Sequence, residues 1–175
     1  MAHDHAAASL SRIAFFAALK PRQISRIARQ AEQCWFRGGE FITRAGTAGD
    51  CAYLILMGEA QRWPRPGSRT ELEPVAPGSL LGELAMLVEH TYGATVVAAG
   101  PVNCLKLPRA MLHEQMGADP DIAERLARVI RERLSLTASE LRRINEALNP
   151  SAVLRLGASK PPLALPHPAS MRASG

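Results

Sequence analysis

Cysteine is sparse in this chain. Cys34, Cys51 and Cys104 are odd in number and far apart, with no Cys-x-x-Cys spacing for zinc or redox chemistry. They read as small buried residues of a protein kept in a reducing, cytoplasmic setting. Long apolar runs are missing as well. The N-terminal run Ile13–Leu19, flanked by Arg12 and Lys20, falls far short of the ~20 residues that span a bilayer. No small-residue cleavage pattern follows a basic start, so neither a membrane span nor a secretion signal is expected. His90 and His113 stand outside any His-x-His plus Glu pattern on adjacent strands, and His3 and His5 fall on a short polar leader. With no nucleophile–base pairing visible either, no metal site and no enzyme are expected.

At 175 residues and 47% apolar content, the chain suits one domain with a sizeable core plus extra helices. The net charge of +5 raises the question of nucleic acid, and its distribution answers it. Arg12, Lys20, Arg22, Arg26 and Arg29 sit near the N-terminus and Arg155, Lys160 and Arg172 near the C-terminus, whereas acids outnumber bases between residues 31 and 115. Arg22, Arg26 and Arg29 share a helical face, which reads as a solvated face rather than a phosphate-backbone footprint.

Along the chain, residues 1–10 read as a flexible leader. Ser11–Leu19 and Pro21–Gln33 show helical spacing, the second with Pro21 in a first turn. From residue 33 the period falls to two. Gln33–Arg37, Glu40–Arg44, Cys51–Met57, Glu59–Pro64, Thr70–Val75, Ala94–Ala98 and Val102–Leu107 are short, β-branched or aromatic, and separated by Gly, Pro or Asp. Strands this short and closely spaced predict a mainly β fold, a jelly-roll barrel over about 33–107 with flanking helices. Pro64–Ser68 reads as an exposed hairpin tip. Asp119-Pro120-Asp121 is a helix start, with Asp119 as N-cap and Pro120 in the first turn. Apolar residues then recur at threes and fours from Ile122 to Leu148, and from Leu134 onward the spacing approaches a heptad seam. Helices are therefore expected over about 108–149, and residues 150–175, with Pro161, Pro162, Pro166 and Pro168, as a flexible tail.

The stretch with most chemical content is Gly82-Glu83-Leu84-Ala85-Met86-Leu87, followed by Ala94-Thr95-Val96-Val97. Gly82 lets backbone approach a ligand without a Cβ in the way, and the helix formers after it predict a short helix with a free N-terminus. Such a terminus attracts phosphate, while Glu83 is suited to accept hydrogen bonds from sugar hydroxyls. The expected ligand carries both groups.

Upstream stand Gly39-Glu40-Phe41-Ile42, Gly46 to Asp50, Tyr53-Leu54-Ile55-Leu56, Gly58 and Gly78. This ordered series resembles the cyclic nucleotide-binding domain family, as found in catabolite activators and protein kinase A regulatory subunits, over about residues 15–148. The resemblance implies a jelly roll with short N-terminal helices, a cassette helix and a long C-terminal helix. It also implies that Glu83 holds the ribose 2′-hydroxyl and that the N–H groups of Glu83, Leu84, Ala85 and Ala94 hold the cyclic phosphate. The family's cassette usually reads Pro-Arg-Ala-Ala-Thr, with the Arg pairing the phosphate; here Thr91-Tyr92-Gly93-Ala94-Thr95 puts Tyr92 in the Arg position. A remote Arg would then have to substitute: Arg62, Arg65, Arg69, Arg125 or Arg128.

The implied function is a non-catalytic module that requires no cofactor, binds cyclic AMP or cyclic GMP, and signals by moving its C-terminal helix to a separate effector protein. Gly93, where cyclic-GMP-selective relatives often carry Thr, leans to cyclic AMP. Residues after Pro150 are too few and too Pro-rich for the winged helix-turn-helix of the activators, so direct DNA binding is not expected. One alternative is an emptied or Tyr92-filled pocket serving dimerisation or protein interaction. Another is a haem or other small-ligand sensor using His90 or Cys51. The heptad spacing predicts a homodimer through Leu134–Leu148. Sedimentation of the intact chain should give twice the monomer mass and a truncation after Arg133 the monomer mass; equal monomer masses would remove the seam.

Overall fold

A computed structural model describes residues 2–63 and 72–148. Two helices, α1 (Ala2–Ser11) and α2 (Pro21–Gln30), lead into ten strands: β1 (Glu32–Phe36), β2 (Phe41–Thr43), β3 (Ala48–Gly49), β4 (Cys51–Met57), β5 (Ala60–Arg62), β6 (Glu73–Val75), β7 (Leu80–Leu81), β8 (His90–Thr91), β9 (Val96–Ala98) and β10 (Val102–Pro108). Helices α3 (Arg109–Ala118) and α4 (Pro120–Leu148) follow. The expected hairpin tip at 64–68, Arg65, Arg69 and the tail 150–175 lie outside the described residues.

The strands form two four-stranded antiparallel sheets, ordered β1-β10-β4-β7 and β2-β9-β5-β6, and a ribbon of β3 with β8. The jelly-roll expectation holds as a sandwich; hydrogen bonds do not close the sheets into one barrel. One core fills the space between the sheets, with Ile42, Ile55, Ala60, Val96, Val102 and Cys104 all buried. The other face of the first sheet presents Leu54, Leu105 and Leu107 to a second core built from Phe15, Phe16, Ile27, Leu112, Ile122 and Leu126. Alternation along β4 and β10 explains both cores, since successive side chains point to opposite faces. The β4–β5 connection needs Gly58, whose φ is +87° and where a Cβ would collide with the Pro101 carbonyl.

Three expectations need correction. Residues 1–10 are not a flexible leader: α1 covers Ala2–Ser11, and Ala6 and Leu10, one helical turn apart, are buried in the core. The helix expected over Ser11–Leu19 is a series of turns, held mainly by three-residue bonds such as Ile13 N to Leu10 O and Phe16 N to Ile13 O. Those turns bury both Phe15 and Phe16, in edge-to-face contact at 5.1 Å, where neighbours on a helix would diverge by a quarter turn or more. The cassette helix is likewise absent as a regular helix. Gly82–Val88 makes two overlapping turns, with Ala85 N and Met86 N donating to Gly82 O and Leu87 N and Val88 N to Leu84 O. A segment this short cannot propagate a helix.

The start of α4 is fastened to α2. Buried Gln23 donates through Nε2 to Asp119 and Asp121 at 3.1 and 3.0 Å, and Asp121 also pairs with Lys20 at 3.0 Å and Arg125 at 2.8 Å. Arg125 further donates to the Ala18 carbonyl. The chain falls into two compact units, residues 1–132 and 133–175. In the described part of the second, Leu134, Leu136, Leu141 and Ile144 are exposed. Among the described residues no helix is long and apolar enough to cross a membrane.

Hydrogen bonds from Arg125 and then Lys20 hold the Asp121 carboxyl well below its ordinary value of 3.8. A depressed folded-state value means the pair contributes in full above the ordinary range and is lost as pH falls through the folded value. Asp121→Asn should therefore lower the melting temperature at pH 7 and by less at pH 3. An equal loss at both would assign the effect to packing.

Candidate functional site

The cassette begins where β7 ends. Gly82 has φ +72°, a backbone state that glycine alone adopts freely, and it turns the chain into the two overlapping turns of 82–88. The segment then returns through β8 to Tyr92–Thr95 and enters β9. Tyr92 is fixed by both its backbone groups, its N–H donating to Thr47 O at 2.9 Å and its carbonyl accepting from Gly46 N at 2.8 Å. Thr95 Oγ1 accepts from Ala45 N at 3.0 Å, and the Ala94 carbonyl accepts from Thr43 Oγ1 at 2.9 Å. The sheet thus anchors the far end of the cassette.

The Tyr92 ring lies across the cassette's own glycines. A Cβ on Gly82 would sit 2.6 Å from Tyr92 Cε1, and one on Gly49 would sit 2.9 Å from Tyr92 Cζ and 2.6 Å from Ala85 Cβ. Both positions must be glycine for the ring to lie there. The hydroxyl donates to the Cys51 carbonyl at 3.0 Å and lies 3.3 Å from Cys51 Sγ. Burial, with the Cys51 contact next, pushes the Tyr92 hydroxyl well above its ordinary range, so it stays neutral at physiological pH. Burial pushes the Cys51 thiol up as well, which makes it an unreactive core group.

Three of the residues expected at the site come together here. Gly82, Ala85 and Tyr92 meet as described. Glu83 is half-buried directly after Gly82, Leu84 and Gly93 are exposed, and Ala94 and Thr95 are half-buried. Of the N–H groups expected to hold an anion, that of Ala85 donates to Gly82 O within its own turn, whereas those of Leu84 and Ala94 find no backbone acceptor among the described residues.

Of the substitute cations expected from sequence, the three among the described residues are engaged elsewhere. Arg62 pairs with Glu73 at 3.6 Å, Arg125 with Asp121, and Arg128 with Glu124 at 4.0 Å. Among the described residues, Arg109, the first residue of α3, does touch the cassette. Its Nη1 donates to the carbonyls of Val88, Gly49 and Ala85 at 2.9, 3.1 and 3.3 Å. His113, one turn later, places Nε2 2.7 Å from the Leu87 carbonyl. Arg109, Gly49 and Glu89–Thr91 line a cleft of about 550 Å³. No sequence pattern marks Arg109, since one Arg after a strand belongs to no periodicity. Among the described residues, no three His, Cys, Asp or Glu side chains are grouped to hold a metal.

Comparison with known proteins covers this same region. Residues 33–119 match the family model of the cyclic nucleotide-binding domain. Over 120 residues, 67% of this chain, it is 28% identical to a cAMP-dependent protein kinase regulatory subunit of Blastocladiella emersonii, of which it spans 30%. It is similar to the N-terminal domain of a transcriptional regulator of Streptomyces coelicolor, with TM-score 0.69 and 26% identity, covering 76% of this chain and 94% of that one. A cyclic nucleotide-binding-like protein of Brucella abortus gives TM-score 0.57 and 26% identity, covering 64% of this chain and 97% of that one. Fold, cassette and family model coincide on the same residues, and through residues 33–119 the chain belongs to the cyclic nucleotide-binding domain family.

Proposed function

We propose that this domain is a regulatory module that binds cyclic AMP in its cassette, with Tyr92 leaving the phosphate position as ligand enters, and signals by moving α4. The observation that carries the reading is the meeting of the Gly82–Ala85 turn with Tyr92, with the N–H groups of Leu84 and Ala94 engaged by no backbone acceptor among the described residues. Glu83 then accepts from the ribose hydroxyls, and backbone donors supply the attraction for phosphate. The cAMP dependence of the regulatory subunit to which the chain is similar supports cyclic AMP as the nucleotide. Dimerisation through the apolar side chains of α4 beyond Arg133, and a separate effector protein, belong to the same proposal.

A second reading is favoured by one observation. The Tyr92 ring fills the position of the family's Arg and its hydroxyl is already satisfied by Cys51, which supports a pocket retired from nucleotide binding and a domain kept for protein interaction.

Charge decides between them. An Arg offers a phosphate a charged, bidentate fork and Tyr offers one neutral donor; a charge-assisted bond contributes roughly 1.5–3 kcal/mol, or about ten- to a hundredfold in affinity. Tyr92→Arg should therefore raise cyclic AMP affinity by about ten- to a hundredfold in calorimetry. No binding by either protein would leave the interaction module. Glu83→Ala should weaken binding of cyclic AMP while leaving the ligand-free melting temperature nearly unchanged, whereas a large loss of ligand-free stability would assign Glu83 a structural role.

A further inference from the structure

Gly82–Val88 behaves at its far end like a helix C-terminus, with carbonyls that have run out of partners within the turn. Helix α3 supplies those partners. Arg109 Nη1 reaches Ala85 O and Val88 O, and His113 Nε2 reaches Leu87 O from the same face of α3. The Arg109 backbone is anchored as well: its N–H donates to Asp50 O at 2.7 Å, and Nη1 also donates to Gly49 O, on the strand whose glycine lies under Tyr92. A cation on carbonyl groups at the end of a turn is favourable for both charge and hydrogen bonding. One guanidinium therefore joins three segments: the β3–β4 turn, the cassette and the first turn of α3.

From this we propose that Arg109, seconded by His113, is the positioning residue of the cassette and the link through which its occupancy reaches α3 and α4. The carbonyl end of the cassette is held by α3; with nucleotide at the N–H end, as the cyclic AMP reading has it, a shift of the cassette displaces the first turn of α3. Lysine replaces it only in part: its ammonium also carries three donors, but on a shorter, more flexible stem without the planar fork that fixes the guanidinium. The coupling part of this proposal rests on the cyclic AMP reading; the positioning part does not.

Hydrogen exchange on the full chain separates the two. Without ligand, Arg109→Gln should speed exchange of the Ala85–Val88 amides about tenfold, the equivalent of one charge-assisted bond, with Arg109→Lys intermediate and α1 and α2 unchanged. Unchanged cassette exchange, or equal acceleration everywhere, would overturn the positioning role. With saturating cyclic AMP, the first-turn amides of α3 should gain protection in the wild type and not in Arg109→Gln; equal protection in both would overturn the coupling. A wild type that binds no cyclic AMP would end the functional reading, and the ligand-free exchange would still decide whether Arg109 positions the cassette.

Discussion

The Tyr92 ring packed on Gly49 and Gly82 is the contact around which the rest of the site is arranged. It needs a glycine at both positions, because a Cβ at either would come within 3 Å of the ring. It also needs a carbonyl acceptor at the ring's far edge, which Cys51 provides from the start of β4. Truncating this half-buried ring would cost less than the ~3–5 kcal/mol of a fully buried one. A neutral hydroxyl in this place leaves the cassette with backbone donors and dipoles where the family normally adds a guanidinium. On the proposed reading, the interaction that shapes the pocket is also the one that limits its affinity for phosphate.

Around that contact the cassette is held from three directions. The 45–47 turn grips Tyr92 and Thr95 through backbone and hydroxyl bonds, β2 grips Ala94 through Thr43, and α3 grips the carbonyls of Ala85, Leu87 and Val88. Next along the chain, Gln23, Lys20 and Arg26 fix the start of α4 through Asp119 and Asp121. Helix α2 thus opposes movement at the point where α4 begins. On the proposed reading, a signal from the cassette travels through α3 against this fastening.

Much of this was legible from residues alone, for reasons that can be named. Strand β4 was read with its observed bounds because its apolar run is bounded by Asp50 and Gly58, and β10 differs by one residue. Strands β3, β7 and β8 were missed because two residues carry no alternation. Helix α1 was hidden by its polar residues, His3, Asp4 and His5, although Ala6–Ala8 has high helix propensity and Leu10 supplies an anchor. Counting back from Thr95 put Tyr92 in the Arg position, but the inward course of its ring and its Cys51 partner are tertiary facts. Arg109 was out of reach, because its acceptors are backbone carbonyls, which carry no sequence signal.

If ligand and Tyr92 compete for one place, the ring itself reports it. The chain has two tyrosines, Tyr53 and Tyr92, so tyrosine labelled at Cζ alone gives two carbon resonances that a Tyr92→Phe variant assigns. On titration with cyclic AMP, the Tyr92 resonance should move in proportion to the occupancy measured by calorimetry. Saturable binding with that resonance unmoved would contradict the account, and so would the absence of any binding at millimolar nucleotide.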